Sequence, residues 1–193
     1  MPEAISEYVP QLTQDEESAR RARRARGAWG LVLACAAGLV GLIVGAPLLK
    51  AAGVLAAADA VYRGFGLVCH QMGERSFHVA GEPFAVCARC FGLYAGALAG
   101  VAAYPLARPL VRRDFPARSW LLASAVPTTV DFALGFFGIW ENTHASRFLT
   151  ALPLGIALAF CIVPGLVDLS LSPLREFLRP GLPREGRDGS LSG

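Results

Sequence analysis

Four apolar stretches, Ala28 to Leu49, Cys87 to Ala107, Ser119 to Trp140 and Phe148 to Leu169, each have the length of roughly 20 residues that an α-helix needs to cross a bilayer core. The only Asp, Glu, Lys or Arg inside them are Arg89, Asp131 and Asp168, while the rest of the chain holds its charge in dense clusters. A chain of 193 residues that is 54% hydrophobic and 17% charged, with mean hydropathy +0.45, has more apolar surface than a soluble core of that size can enclose. The expected fold class is therefore an all-α integral membrane protein, a bundle of four transmembrane helices in contact with the lipid bilayer.

The basic clusters set the orientation. Arg20, Arg21, Arg23, Arg24 and Arg26 precede the first span, Arg108, Arg112, Arg113 and Arg118 lie between the second and third, and Arg175, Arg179, Arg184 and Arg187 follow the fourth. Basic residues beside spans stay cytoplasmic, and four crossings satisfy all three clusters at once. Both termini then face the cytoplasm of a multi-pass protein of the inner (plasma) membrane, and Lys50 to Val86 and Glu141 to Arg147 face outward. Trp29, Trp120 and Trp140 fall at span ends, as an aromatic belt requires. The Arg run of the N-terminal segment serves orientation and contact with anionic lipid, and no nucleic-acid partner is expected.

The remaining segments divide as residues 1–27, a basic cytoplasmic segment; 28–169, the membrane domain; and 170–193, a cytoplasmic tail rich in Pro, Gly, Ser and charge that is expected to be largely disordered. Thr13 with Glu16 has the pattern of a capping box, and Glu16 with Arg20 and Glu17 with Arg21 are i,i+4 pairs, so a helix over Thr13 to Arg26 leads into the membrane. No cleavable signal peptide is visible, and Cys35 and Cys161 read as small buried hydrophobes. Ala51 to Val68 is apolar but carries Asp59 and Arg63 one turn apart, and a fifth crossing would carry the later Arg clusters outside. It reads as an interfacial or re-entrant helix on the outer face, separated from the first span by Pro47 and Lys50, with Val54, Leu55, Ala58, Val61, Tyr62 and Phe65 as its apolar face.

The chemistry concentrates at the outer end of the second span. Cys69-His70 and Cys87-Ala88-Arg89-Cys90 put three thiols and an imidazole into one 22-residue window where a polar loop meets an apolar helix. Soft thiolate and imidazole donors in this number suit a tetrahedral Zn²⁺ site, and Cys87 and Cys90 at i and i+3 share a helical face. In the same span Gly92, Gly96 and Gly100 repeat every four residues and prepare one face for a closely packed helix, with Cys90 and Tyr94 on the opposite face. A glycine-rich span with incidental cysteines would leave the cluster and His70 without a reason. Asp131 sits in the outer half of the third span, about 13 Å along the axis from Trp140, one turn after Pro127. An acid at that depth is costly and marks a functional candidate, or a structural partner for an Arg such as Arg89. Glu141 to Arg147 forms the second outer loop on the same side.

These segments carry a family resemblance. Cys69-His70-Gln71-Met72-Gly73-Glu74-Arg75-Ser76-Phe77, followed by Val86-Cys87-Ala88-Arg89-Cys90-Phe91-Gly92-Leu93-Tyr94-Ala95-Gly96, resembles the paired signature of a prokaryotic membrane-protein family known as domain of unknown function 2085. The resemblance spans roughly Tyr62 to Phe160, and it implies that Pro127, Asp131, Asn142 and Arg147 belong to the family pattern. Gly73 stands where that pattern commonly has Pro, and Phe132 where it commonly has Gly. The resemblance brings no activity with it.

Two functions remain open from the residues. In the first, Cys69, His70, Cys87 and Cys90 hold a metal, with Asp131, Glu141 and His78 placed to assist a water or a substrate. The site is structural if all four bind, and able to act as a Lewis acid if His70 is free. In the second, Cys87 and Cys90 at a helix N-terminus exchange electrons with Cys69. This layout is similar to that of the membrane oxidoreductases that pass electrons from thiols to quinone, vitamin K epoxide reductase among them. The odd number of outward cysteines counts against it. Either way, one composite extracytoplasmic pocket is expected, lined by His70, Arg75, Arg89, Tyr94, Asp131, Asn142 and Arg147, for a small-molecule or lipid-like substrate. The sequence names no protein partner.

Overall fold

The computed structural model describes residues 11–110 and 118–171, with side chains from residue 15 to 110 and from 118 to 170. Arg112 and Arg113, the C-terminal Arg cluster and residues 172–193 of the expected tail lie outside the described residues, while Ser170 and Leu171, placed in that tail, continue α5. Five α-helices, one 3₁₀ turn and one small hairpin make up the rest: α1 Gln11–Ala51, α2 Leu55–Gly66, the 3₁₀ turn Gly73–Arg75, β1 His78–Val79, β2 Glu82–Pro83, α3 Ala88–Ala107, α4 Arg118–Phe136 and α5 His144–Leu171.

Helix α1 is a single rod of 41 residues, about 60 Å long at 1.5 Å per residue. It passes through residue 27 without a break, so the expected cytoplasmic helix and first span are one element, and Thr13 lies inside it rather than at its cap. Nor does Pro47 end it. The helix tolerates Pro47 and stops at Ala51 because Gly53, at φ 79°, takes the left-handed conformation. Val54 then donates its N–H to Leu49 O and Gly53 to Lys50 O, closing the last turn. Cys35 is exposed on this rod, where the sequence had it buried.

Within the segment Ala51 to Val68 a helix does form, α2, whose 12 residues reach only about 18 Å. Ala58 and Phe65 are buried and Val61 and Tyr62 half-buried, but Val54 and Leu55, assigned to the same face, are exposed. The hairpin that follows turns through Ala80 and Gly81, both at positive φ, as a two-residue connection requires. It is held over the end of α1 by Lys50 Nζ donating to Glu82 Oε2 at 2.7 Å.

Among the described residues three helices are long and apolar enough to cross a membrane: the stretch Asp15–Ala51 of α1, Ala88–Ala107 and His144–Ser170. The best-packed pair is α3 with α5, because Gly92, Gly96 and Gly100 bring α3 directly against the backbone of α5. A methyl at Gly92 would collide with Phe148 O, one at Gly96 with Leu152 O, and one at Gly100 would lie 2.7 Å from the Ala159 methyl. Gly155 makes the reciprocal approach to Leu93 and Ala97. The glycine stripe therefore does what its spacing implies.

Helix α4 is shorter than the expected third span. It ends at Phe136, and Gly138 at φ 68° closes it as Gly53 closes α1, with Ile139 donating to Leu134 O and Gly138 to Gly135 O. Helix α5 conversely begins four residues early, at His144. α4 packs chiefly on α5 rather than on α3, so Cys90 and Asp131 do not lie on directly packed helices as expected. A buried cluster of Ala25, Val101, Tyr104, Ala159, Val163 and Val167 joins α1, α3 and α5 at one end. A second, of Ile43, Ala46, Phe65, Cys69, Ala85 and Val86, joins α1, α2 and the outer loop at the other.

Candidate functional site

The chain from α2 to α3 is folded back by Gln71. Its φ of 50° is left-handed, an uncommon state for a residue with a side chain, and its amide repays the strain by donating to Tyr62 O and Ala85 O, each at 2.7 Å. Tyr62 OH donates to Pro83 O, Ala85 N–H to Ile43 O at 3.3 Å, and Ser76 Oγ to Met72 O at 3.0 Å, so the loop is tied to α1 and to itself. Phe77, Phe84, Phe91 and Phe148 form a cluster of tilted and edge-on rings with centroids 5.1–6.0 Å apart. That cluster seats the hairpin on α3 and α5.

This scaffold brings Cys69, Cys87 and Cys90 together. Their sulfurs all lie within 4.8 Å of one another, and none is in a disulfide. Backbone donors converge on them: Cys69 Sγ accepts the N–H of Gln71 at 3.5 Å and of Cys87 at 3.3 Å. The Cys87 thiol is lowered to about 5, first by the hydrogen bond from the Cys90 thiol, against the cost of burial, then by the N–H of Cys90, the Cys69 thiol and the N–H of Arg89. Cys87 is the N-cap of α3, where free amides and the helix dipole favour a thiolate. His70 is not part of this group. Its ring is exposed, although it borders the same cavity.

That cavity, of about 850 Å³, opens beside the cysteines. Of the residues expected to line it, His70, Arg75, Arg89, Asn142 and Arg147 do so, joined by Glu141 at an exposed position. Tyr94 does not, because its ring packs edge-on against Phe65, centroids 5.8 Å apart, in the apolar cluster beneath the loop. His78 stands exposed on β1, away from the cavity wall. Asp131 is 7% exposed and sits behind the wall, where Arg89 Nη2 meets its Oδ2 at 2.5 Å. Asn142 further donates to Asp131 O, tying the loop back onto α4.

Gln71, Met72, Phe132, Phe136 and Trp140 also line the cavity and were not singled out by sequence. Gln71 stands two residues after Cys69 in the quoted signature, but a lone Gln gives no sign that it will span two carbonyls. Phe132 read as a departure from a family pattern; here its ring lies 5.5 Å from the Arg89 guanidinium carbon, in cation–π range.

Residues 69–161 match the family described as "Predicted membrane protein (DUF2085)". An uncharacterized protein of Methanocaldococcus jannaschii is 38% identical over 104 residues, 54% of this chain and 67% of that protein. An uncharacterized protein of Methanothermobacter thermautotrophicus is 38% identical over 97 residues, 49% of this chain and 84% of that one. No solved structure matches. The match takes in the three clustered cysteines, the ion-paired Asp131 and the glycine-packed helices, and by it the chain belongs to the membrane-protein family of domain of unknown function 2085.

Proposed function

We propose that this protein crosses the inner membrane four times with both termini in the cytoplasm, and carries on its outer face a metal site, zinc by donor type, built from Cys69, Cys87 and Cys90. The observation that carries the reading is the approach of three thiol sulfurs to within 4.8 Å. Thiolates bound to one tetrahedral zinc at about 2.3 Å lie roughly 3.8 Å apart, a separation compatible with this cluster, and soft donors favour zinc over harder ions. The N–H groups of Gln71 and Cys87 aimed at the Cys69 sulfur support it further, because a thiolate ligand is steadied by such donors.

The fourth position faces the cavity. The exposure of His70 outside the sulfur group supports an open position, taken by water, substrate or a swung-in His70, rather than a closed four-ligand site. Glu141 is the acid placed on the cavity wall to exchange a proton with such a group, since Asp131 is engaged by Arg89. The fourth crossing is assigned to α4, whose Trp120, Leu122, Val126 and Val130 are exposed as a lipid-facing surface would be.

Metal analysis and a free-thiol count on the detergent-purified chain test this. About one zinc per chain is expected, lost on Ser substitution at Cys69, Cys87 or Cys90 and kept in His70→Ala. Stoichiometric metal in the Cys87→Ser/Cys90→Ser double variant would refute the ligand set. The lowered Cys87 thiol favours a second reading, electron exchange with quinone. A Cys87–Cys90 disulfide in metal-free native protein would establish that one instead.

A further inference from the structure

The cavity's arginines are not all paired. Arg89 is matched by Asp131, but among the described residues neither Arg75 nor Arg147 has an ion pair or a side-chain hydrogen bond. Arg147 is half-buried, and the charges acting on it are Arg75 and Arg89, of like sign, opposed by Asp131 and Cys87. Glu141 is the one carboxylate on the cavity wall, exposed and unpaired among the described residues. Arg89 Nε is buried with no acceptor. Arg147, half-buried among like charges and without a counter-ion, carries a cost that a bound anion would relieve, and Arg75, exposed and unpaired on the same cavity, can meet that anion as well.

Part of the lining has a different chemistry. Phe132 and Phe136 from the end of α4, Trp140 from the turn after it, and Val68 and Met72 from the loop are all on the cavity and all more than 40% exposed. A ligand that meets both the arginines and these residues has an anionic head and an apolar body.

We infer that the cavity binds an amphiphile with a phosphate monoester head, gripped by Arg75 and Arg147, its apolar part lying against Phe132, Phe136 and Trp140. A phosphate monoester carries up to two negative charges, and its planar oxygen edges accept the paired N–H groups of a guanidinium, which two free arginines match in number and geometry. A carboxylate would leave one of them unmatched. The inference deepens the proposed site by naming what comes to it, and it rests on the cavity rather than on the metal.

The test uses the full-length chain in detergent, titrated with short-chain phosphatidic acid and followed by tryptophan fluorescence, with phosphatidylcholine of equal chain length and inorganic phosphate as separate arms. Saturable binding of phosphatidic acid over phosphatidylcholine is expected, weakened about tenfold or more in both Arg75→Gln and Arg147→Gln. Arg63→Gln, on an exposed position of α2, should bind as the native chain does. Weak or absent competition by phosphate assigns the source to a lipid, whereas equal binding of phosphate keeps the anion site and overturns the amphiphile. Equal binding of both lipids, or unchanged binding in both Arg variants, overturns the inference whole. Metal is measured on the same samples: phosphatidic acid binding by a native chain that holds no metal upholds the inference and counts against the metal site alone. Native metal content with no phosphatidic acid bound sinks the inference alone.

Discussion

Cys87 is the residue in which backbone and chemistry meet most directly. As the N-cap of α3 its sulfur makes no capping hydrogen bond, but it sits beside the free amides at the start of the helix, and its own N–H donates to Cys69 Sγ at 3.3 Å. Its thiol is lowered to about 5, so in metal-free protein it is ionised from there upward rather than only near the ordinary thiol range of about 8.5. Iodoacetamide labelling of Cys87, read by mass spectrometry, should therefore persist at pH 6 and decline as pH falls through about 5. Loss of the Cys87 label already at pH 6 would contradict the assignment. The three thiols could be read from spacing, since two Cys at i and i+3 on a helix must share a face. His70 could not be placed that way. Adjacency to Cys69 says nothing about which way a loop side chain points, and the chain turns sharply at Gln71.

At the scale of elements, the same property of glycine has two outcomes that sequence separates only in part. Gly92, Gly96 and Gly100 could be read, because a four-residue repeat on an apolar helix has one use, close approach to a neighbour. Gly96→Leu should separate α3 from α5 and cost about 1–3 kcal/mol or more, visible as a fall in the detergent melting temperature. Gly41→Leu, on the open side of α1 with nothing within 4 Å, should melt close to the native chain, and equal losses at the two positions would argue against the packed pair. Gly53 and Gly138 stop helices through left-handed φ, and a sequence window rich in apolar residues gives no sign of where that happens. That is why α4 ends short of Trp140 and why Pro47 looked like the boundary of α1. Helix α2 was legible from its length and its two charges, but not which of its apolar residues would face the protein. Half of that choice depends on where α1 and the outer loop pass.

For the whole molecule, the membrane class was visible from the start because apolar stretches of spanning length have few other uses in so short a chain. The packing order was not visible: that α4 rests on α5 and reaches α3 mainly through Arg89 and Asp131 depends on contacts between elements far apart in sequence. A topology reporter inserted between Asn142 and Thr143 is expected to be active only outside the cytoplasm, and fusions at either terminus only inside; a fusion at residue 193 exposed outside would sink the four-span reading. The glycine contacts bear on this as a matter of parity. Gly92 meets Phe148 and Gly100 meets Ala159, so α3 and α5 descend side by side in the same direction. A chain that has gone down once can start down again beside itself only after climbing back, and here the climb must regain the full 20-residue height of α3, about 30 Å. The 19 residues of α4 supply about 28 Å of it, so the return journey of the chain supports a crossing that hydropathy alone leaves uncounted.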